Sequence, residues 1–300
     1  MQIPEVLSWT VAQDAVVLYI SSVYLEPLTE LAWAYRLHYY ICFRTRWRRS
    51  QFESGDRTAS LERHLAAVCE NHSYHLLKHK TYPDHIRCLI SLRPDHSISK
   101  VVNTLKSNVS RQFSADFGLT PPLWATGHLA RSIGRVNIQV VKQYLLDQAE
   151  HHGYASRVNP PVFKYRASNP LPLTAKHAVF DLTHHLVLAT RYRRGVFSRT
   201  LGGDLIEYWL RVASTRGFAI DQATVLPDHV HLLLRLTSKM SIEQCTLCLM
   251  NNGQHWMGTR HGRALVLAGI DQLWQPSAYA GTCGKVTTAQ VKAFLSLNAG

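Results

Sequence analysis

Acidic side chains are scarce in this 300-residue sequence: 20 Asp and Glu stand against 33 Lys and Arg, a formal net charge of +13 before any of the 17 histidines is counted. Such an excess on a folded chain points to a polyanion, whether DNA, RNA or an anionic membrane surface, and small acidic substrates rarely need so much. Charged residues make up only 18% against 46% hydrophobic ones, which excludes wholesale disorder and a bare polycationic tail. Long apolar runs are missing too. None reaches the roughly 18 residues that a membrane-spanning helix requires, so no membrane partner is expected. The first residues lack a basic stretch and carry Glu5 and Asp14, a poor secretory signal, so a cytoplasmic, nucleoid-associated location is expected. Six cysteines spread over this length exclude a disulfide-dense scaffold and read as reduced thiols. Cys245 and Cys248 form a C-x-x-C without a second pair, in an apolar helical stretch. Structural core is the first reading and a metal or redox role the alternative.

What the chain does have, it has twice. ICFRTRWRRSQF from Ile41 matches LVLATRYRRGVF from Leu186, with Thr45 facing Thr190. PDHIRCLISL from Pro83 matches PDHVHLLLRL from Pro227, and LWATGHLARSIGRV from Leu123 matches LWQPSAYAGTCGKV from Leu273. Three blocks in one order at nearly constant offset mean duplicated domains. The expected organisation is an N-terminal extension over 1–32, a first copy over 33–151, a Pro-rich linker over 152–177 and a second copy over 178–300. Within the copies, periodicity predicts strands over Leu37 to Phe43 and Ala178 to Leu188, and helices over Thr58 to Asn71 and Leu201 to Arg216. Strands follow over Tyr74 to Lys78 and Ala219 to Leu226, then the strands after PDH and helices over Ser97 to Phe113 and Ser241 to Met257. A short strand and a last helix close each copy. The order βαββαβ plus a helix predicts an α+β chain of two tandem ferredoxin-like domains, each an antiparallel sheet with helices on one face.

Four constellations carry possible chemistry. His229 and His231 alternate along a strand, so their imidazoles leave the same face roughly 7 Å apart and can grip one divalent ion, or can be two satisfied core histidines. The first copy has His85 and Arg87 there, and a guanidinium offers a metal no lone pair. Tyr144 and Gln148 lie one turn apart on the last helix of the first copy, able to supply a phenol nucleophile and an amide ligand, or simply to extend an apolar stripe. The second copy holds Phe294 and Asn298 instead. Arg44, Arg46, Arg48 and Arg49, with Arg191, Arg193 and Arg194, interleave guanidinium with aromatic rings, a mix that pairs with phosphates and stacks on unpaired bases; a solvated charged turn is the plainer reading.

Taken together, the T-[RK]-[YW]-R-R strand end, PDHVHLLL, the L-W block and the Y-x-x-x-Q helix resemble the single-tyrosine HUH transposases, including the insertion-sequence type and the REP-associated tyrosine transposases of bacteria. The resemblance covers both copies from roughly Trp33 onward. It implies a metal-dependent single-strand DNA endonuclease and strand transferase that recognises hairpin DNA and forms a 5′-phosphotyrosine with a free 3′-OH. His229, His231 and Gln148 would hold Mg²⁺ or Mn²⁺, and Tyr144 would attack. Each copy keeps half of that chemistry, so activity requires a monomeric chain folded as an internal pseudo-dimer with exchanged helices, leaving His85, Arg87, Phe294 and Asn298 as an inert second site. The competing readings are a catalytically inactive hairpin-DNA binder or regulator, and an RNA-binding protein, which loses ground because neither copy shows the aromatic RNP pattern.

Overall fold

The computed structural model describes residues 24–120, 122–135, 160–168, 173 and 178–296. The first copy runs β1 (Ala32–Arg36), β2 (His38–Arg44), α1 (Gly55–Asn71), β3 (His75–Tyr82), β4 (His85–Ser91), α2 (Ile98–Phe117) and β5 (His128–Ile133). After β6 (Phe163–Arg166), the second runs β7 (Ala178–Thr190), α3 (Arg199–Arg216), β8 (Ala219–Leu226), β9 (His229–Leu236), α4 (Ile242–Ala268), β10 (Trp274–Cys283) and α5 (Thr288–Ser296). The chain is thus mixed α+β; the second copy shows the expected element order, and the first shows it as far as β5, its expected last helix lying outside the described residues. Helix ends follow local chemistry. Ser241 and Gln244 form a reciprocal capping box on α4, and α2, α3 and α4 stop at Gly118, Gly217 and Gly269 in left-handed conformation.

Two expectations need correction, and the N-terminal extension, which the repeat does not explain, takes part in the fold. The 152–177 segment is more than a linker, since β6 pairs antiparallel with β8, Phe163 opposite Val225. Helical structure continues past Met257 to Ala268, kinked at His261, whose φ of −136° and ψ of 26° are non-helical. The N-terminal extension contributes beyond its strand: Asn251 of α4 accepts from the Leu28 N–H at 2.7 Å and donates to the Leu28 carbonyl at 2.9 Å, and Leu25 is buried.

Among the described residues all ten strands form one sheet, ordered β3-β4-β2-β5-β7-β9-β8-β6, with β10 lying between β7 and β1. The copies join through two parallel ladders that mirror each other. His128 pairs with Ala178, and their counterparts Ala278 and Trp33 pair likewise. Gly134 and its counterpart Gly284 exchange backbone hydrogen bonds at 3.2 and 3.0 Å. Thr282 Oγ1 donates to the Ile133 carbonyl at 2.8 Å, and Ser132 donates in the same way to Cys283. At the far end the Ser99 N–H reaches the Ser238 carbonyl at 2.7 Å and the Glu243 N–H reaches Pro94 at 3.0 Å. Tyr39 meets its own counterpart, His184, in a 2.7 Å hydrogen bond. Equivalent residues therefore face each other across a pseudo-two-fold axis.

Alternation along the strands sorts side chains between the two faces of the sheet. Ile41 and Phe43 of β2, with Leu186 and Leu188 of β7, join a core that also takes in residues of α1 to α4, including Trp209 and Phe113. Cys42 points the other way, into a small cluster with Leu129, Val291, Phe294 and Leu295. On the same reverse face, Val187 packs with Tyr279.

Two buried histidines outside the sequence-predicted set give the fold a pH dependence. Burial pushes His184 down to about 4, and burial aided by Lys106 does the same to His128. An unfolded imidazole titrates near 6.5, so between roughly pH 4 and 6.5 the unfolded chain binds more protons and stability rises with pH. Acidification from pH 7 to 5 is expected to lower stability by on the order of 1 kcal/mol per histidine per pH unit across that window, and the melting temperature falls with it. Thermal melts at fixed ionic strength check it, and a flat profile refutes it.

Candidate metal and DNA site

The three repeated sequence blocks converge at one end of the sheet, which explains why they recur. Thr45 Oγ1 donates to the carbonyls of Arg49 at 2.8 Å and Asp84 at 3.1 Å; Thr190 repeats this with Arg194 at 2.7 Å and Asp228 at 2.9 Å. The next backbone N–H, of Arg46 or Arg191, reaches the carbonyl of Leu123 or Leu273, just ahead of the repeated tryptophan. The basic stretch forms a tight 3-10 turn in which Trp47, Arg48, Tyr192 and Arg193 hold φ of 53 to 54°. Non-glycine residues seldom sit there, so two in succession in both copies mark a turn imposed by its surroundings.

The seven arginines named from sequence separate in the structure. Arg46 and Arg49 are exposed and lie 4.0 and 4.6 Å from the ring centre of Trp47, itself 53% exposed, beside a cavity of about 490 Å³. Arg48 and Arg193 bind the aspartates of the PDH turns, Asp84 at 2.7 Å and Asp228 at 2.8 Å. Arg191 packs over Tyr192 at 4.7 Å, and Arg194 is exposed. Arg44 is a correction: it is buried, and its Nη1 donates to the carbonyls of Phe294 at 3.2 Å and Leu295 at 3.0 Å. It caps the C-terminal end of α5, where a cation also complements the helix dipole, and is not offered to DNA. Arg44→Ala is expected to destabilise the chain by about 2 kcal/mol, the scale of charge-assisted bonds, and to loosen α5 in hydrogen exchange; an unchanged denaturation midpoint contradicts it.

That bond has a topological meaning. Helix α5 follows the last strand of the second copy, yet Phe294 and Leu295 pack on Cys42 and Leu129 of the first. Phe294 and the stretch around it cross over. Tyr144, Gln148 and Asn298 lie outside the described residues.

On the reverse face of the second copy, β9 runs antiparallel to β7 with Val187 opposite His231 and Ala189 opposite His229. The two imidazole centres are 5.0 Å apart. His229 Nδ1 lies 2.7 Å from Asp228 Oδ1, and His231 Nδ1 lies 3.1 Å from Nε2 of His185. Both anchors engage Nδ1, and among the described residues neither Nε2 has a hydrogen-bond partner. Burial, reinforced by His229 and His185, pushes His231 down to about 3 and keeps it a neutral donor. Burial alone would raise Asp228, but His229 and Arg193 hold its carboxyl below the usual range. A carboxylate orienting a histidine for a metal is a recurrent arrangement, so this donor set fits a divalent cation. Among the described residues no group of three or more His, Cys, Asp or Glu is arranged to hold a metal ion. Asp228 and His185 were not identified from sequence as parts of the site. The duplicated PDH and the pairing of two histidine-bearing strands were the available signals.

The first copy answers differently. Asp84 again holds His85 Nδ1 at 2.7 Å, but the Arg87 Nε donates to His85 Nε2 at 3.1 Å. Tyr82 stacks on His85 at 4.3 Å, and the Arg87 guanidinium lies over the Tyr82 ring at 4.3 Å. The lone pair that a metal would take is already engaged, and a fixed positive charge stands beside it.

Among the described residues no helix is long and apolar enough to cross a membrane. The chain matches the IS200-like transposase family twice, over residues 33–148 and 178–298. It is 27% identical over 128 residues to the ISDra2 transposase TnpA of Deinococcus radiodurans, which covers 42% of this chain and 91% of that protein. Among solved structures it is similar to a candidate transposase of Deinococcus radiodurans, with 22% identity, a TM-score of 0.32, and coverage of 38% of this chain and 92% of that one. A second is a REP-associated tyrosine transposase bound to a REP hairpin, with 19% identity, a TM-score of 0.28, and coverage of 46% and 78%. The two separate matches, each on one repeat, make this chain a member of the IS200-like transposase family carrying two diverged tandem copies.

Proposed function

We propose that the chain is a single-strand DNA endonuclease and strand transferase with one composite active site, built from two ferredoxin-like HUH halves acting as an internal pseudo-dimer. The observation that carries this reading is the crossing of α5. Phe294, the counterpart of Tyr144, lies on the opposite copy's sheet against Cys42 and Leu129. The same pseudo-two-fold relation would deliver Tyr144 and Gln148 to the His229 and His231 face, uniting what each copy has kept. His85, Arg87, Phe294 and Asn298 then form the inert counterpart.

In this reading His229, His231 and Gln148 hold Mg²⁺ or Mn²⁺, which when bound would polarise a phosphate oxygen of the scissile bond. Asp228 keeps the His229 lone pair turned toward that position. The Tyr144 phenol gives up its proton to solvent as Oη attacks the phosphorus, the P–O3′ bond breaks, the 5′-phosphate stays on the tyrosine, and the 3′ oxygen leaves as a hydroxyl after taking up a proton from solvent. Arg46, Arg49 and Trp47 in the first copy, with Arg191 and Arg194 in the second, contact the backbone and unpaired bases near a hairpin.

The test uses the full chain with oligonucleotides that carry hairpins flanked by single strands. An SDS-resistant adduct is expected with Mg²⁺ or Mn²⁺ and not with EDTA, and peptide mapping is expected to find the nucleotide on Tyr144. Attachment at another residue overturns the assignment. Tight hairpin binding that ignores metal and never gives an adduct would make the chain a binding protein.

A further inference from the structure

The reverse face of the second copy holds a third imidazole. His185 lies on β7, two residues before Val187 and therefore on the same face, and its Nε2 is 3.1 Å from Nδ1 of His231. The ring planes differ by only 14°, and the facing nitrogens are far closer than the centroids, which are 5.3 Å apart. The rings therefore meet edge to edge, with the shared proton in line between them. His185 is 8% exposed, and among the described residues its Nδ1 has no hydrogen-bond partner.

The proton inventory of this pair is limited. Two neutral imidazoles carry two protons on four nitrogens. If the shared proton belongs to His185 Nε2, the second proton must sit on His231 Nε2 and the face presented to a cation is closed. If it belongs to His231 Nδ1, the Nε2 lone pair of His231 is open and the second proton lies on His185 Nδ1. Only the second arrangement binds a metal.

We propose that His185 is the positioning residue that sets the tautomer of His231, accepting its Nδ1 proton so that Nε2 can ligate. It does for His231 what Asp228 does for His229, so each metal histidine is held from behind by its own acceptor. The buried, unpartnered Nδ1 is the atom on which the displaced proton resides. The first copy supports this by contrast. There Tyr40 stands where His185 stands and Arg87 where His231 stands, so the imidazole partner and the ligand it serves are absent together. The inference rests on the metal reading of His229 and His231.

The test measures Mn²⁺ affinity by electron paramagnetic resonance and calorimetry on the full chain without DNA, for the natural protein, His185→Leu, His185→Gln and His229→Ala. His185→Leu is expected to weaken Mn²⁺ binding by about 10 to 100-fold, the usual cost of losing a partner that orients a ligand. His185→Gln keeps an acceptor oxygen and is expected to stay within about threefold. ¹⁵N spectra of the natural protein with Mg²⁺ are expected to show His231 protonated at Nδ1 and His185 at Nδ1, a readout that a merely structural role for His185 would not move. Equal Mn²⁺ affinity of folded His185→Leu and the natural chain overturns the proposal, as does a His231 that keeps its Nε2 proton with metal bound. If His185→Leu does not fold, the tautomer spectra and the Gln variant decide. A natural chain that binds no Mn²⁺, or a His229→Ala chain that binds it equally well, overturns the metal reading itself and this inference with it.

Discussion

Replacing Tyr144 with Phe is expected to abolish the covalent DNA adduct and lower strand cleavage by at least about 10³-fold while leaving hairpin affinity within about twofold. In the proposed mechanism the removed oxygen is the nucleophile, and Phe keeps the ring, so the reacting atom is lost while the apolar part of the side chain is kept. His231→Ala is expected to match it in cleavage, by a different route, through loss of a metal ligand. The pair is informative because the two residues belong to different copies. Mixing a Tyr144→Phe chain with a His231→Ala chain tests whether the site is assembled within one polypeptide. No recovery is expected, because the halves of one molecule are covalently joined and meet at high effective concentration. Efficient recovery in the mixture would mean that sites form between chains, and an undiminished adduct in Tyr144→Phe would remove the assignment altogether.

The second large effect concerns the seam. A methyl group added at Gly134 would lie 2.1 Å from the backbone oxygen of Thr282, closer than any side-chain carbon is tolerated. That oxygen belongs to the strand that returns hydrogen bonds across the pseudo-axis, so it cannot move aside as a flexible side chain would. Gly134→Ala is expected to cost about 3 kcal/mol, the upper end for overpacking, and to act on the junction between copies rather than inside either one. Gly55→Ala is the control, since nothing lies within 4 Å of that position. Urea denaturation compares them; a Gly134→Ala chain as stable as the control contradicts the described seam.

Much of this architecture was legible in the residues. The repeat located the strands because Thr45 and Thr190, the PDH turns and the L-W blocks hydrogen-bond to one another, so selection for one contact preserves all three segments. Where the sequence misled, non-local packing was responsible. The helix expected to end at Met257 runs on to Ala268, and Gly253 lets it close on Trp209, whose Nε1 would be 3.1 Å from an added methyl. Tertiary burial outweighs intrinsic propensity there. FKYR after a pair of prolines reads as linker because its partner, the edge of β8, is distant in sequence. Arg44 looked like one more cation in a basic run, and only the crossing of α5 reveals the carbonyls it serves. Of the site, the H-x-H pair was visible from period-two alternation, whereas His185 required knowledge of which strands are neighbours.

The meeting of Tyr39 with His184 has a consequence for how such a molecule evolves. In a two-fold homodimer any residue on the axis is confronted with its own twin, so every change there is made twice and must be self-compatible. Fusion lifts that rule. A phenol can be matched to an imidazole, one partner adjusted while the other stays, and the two flanks of the axis can drift toward separate duties without the assembly ever separating.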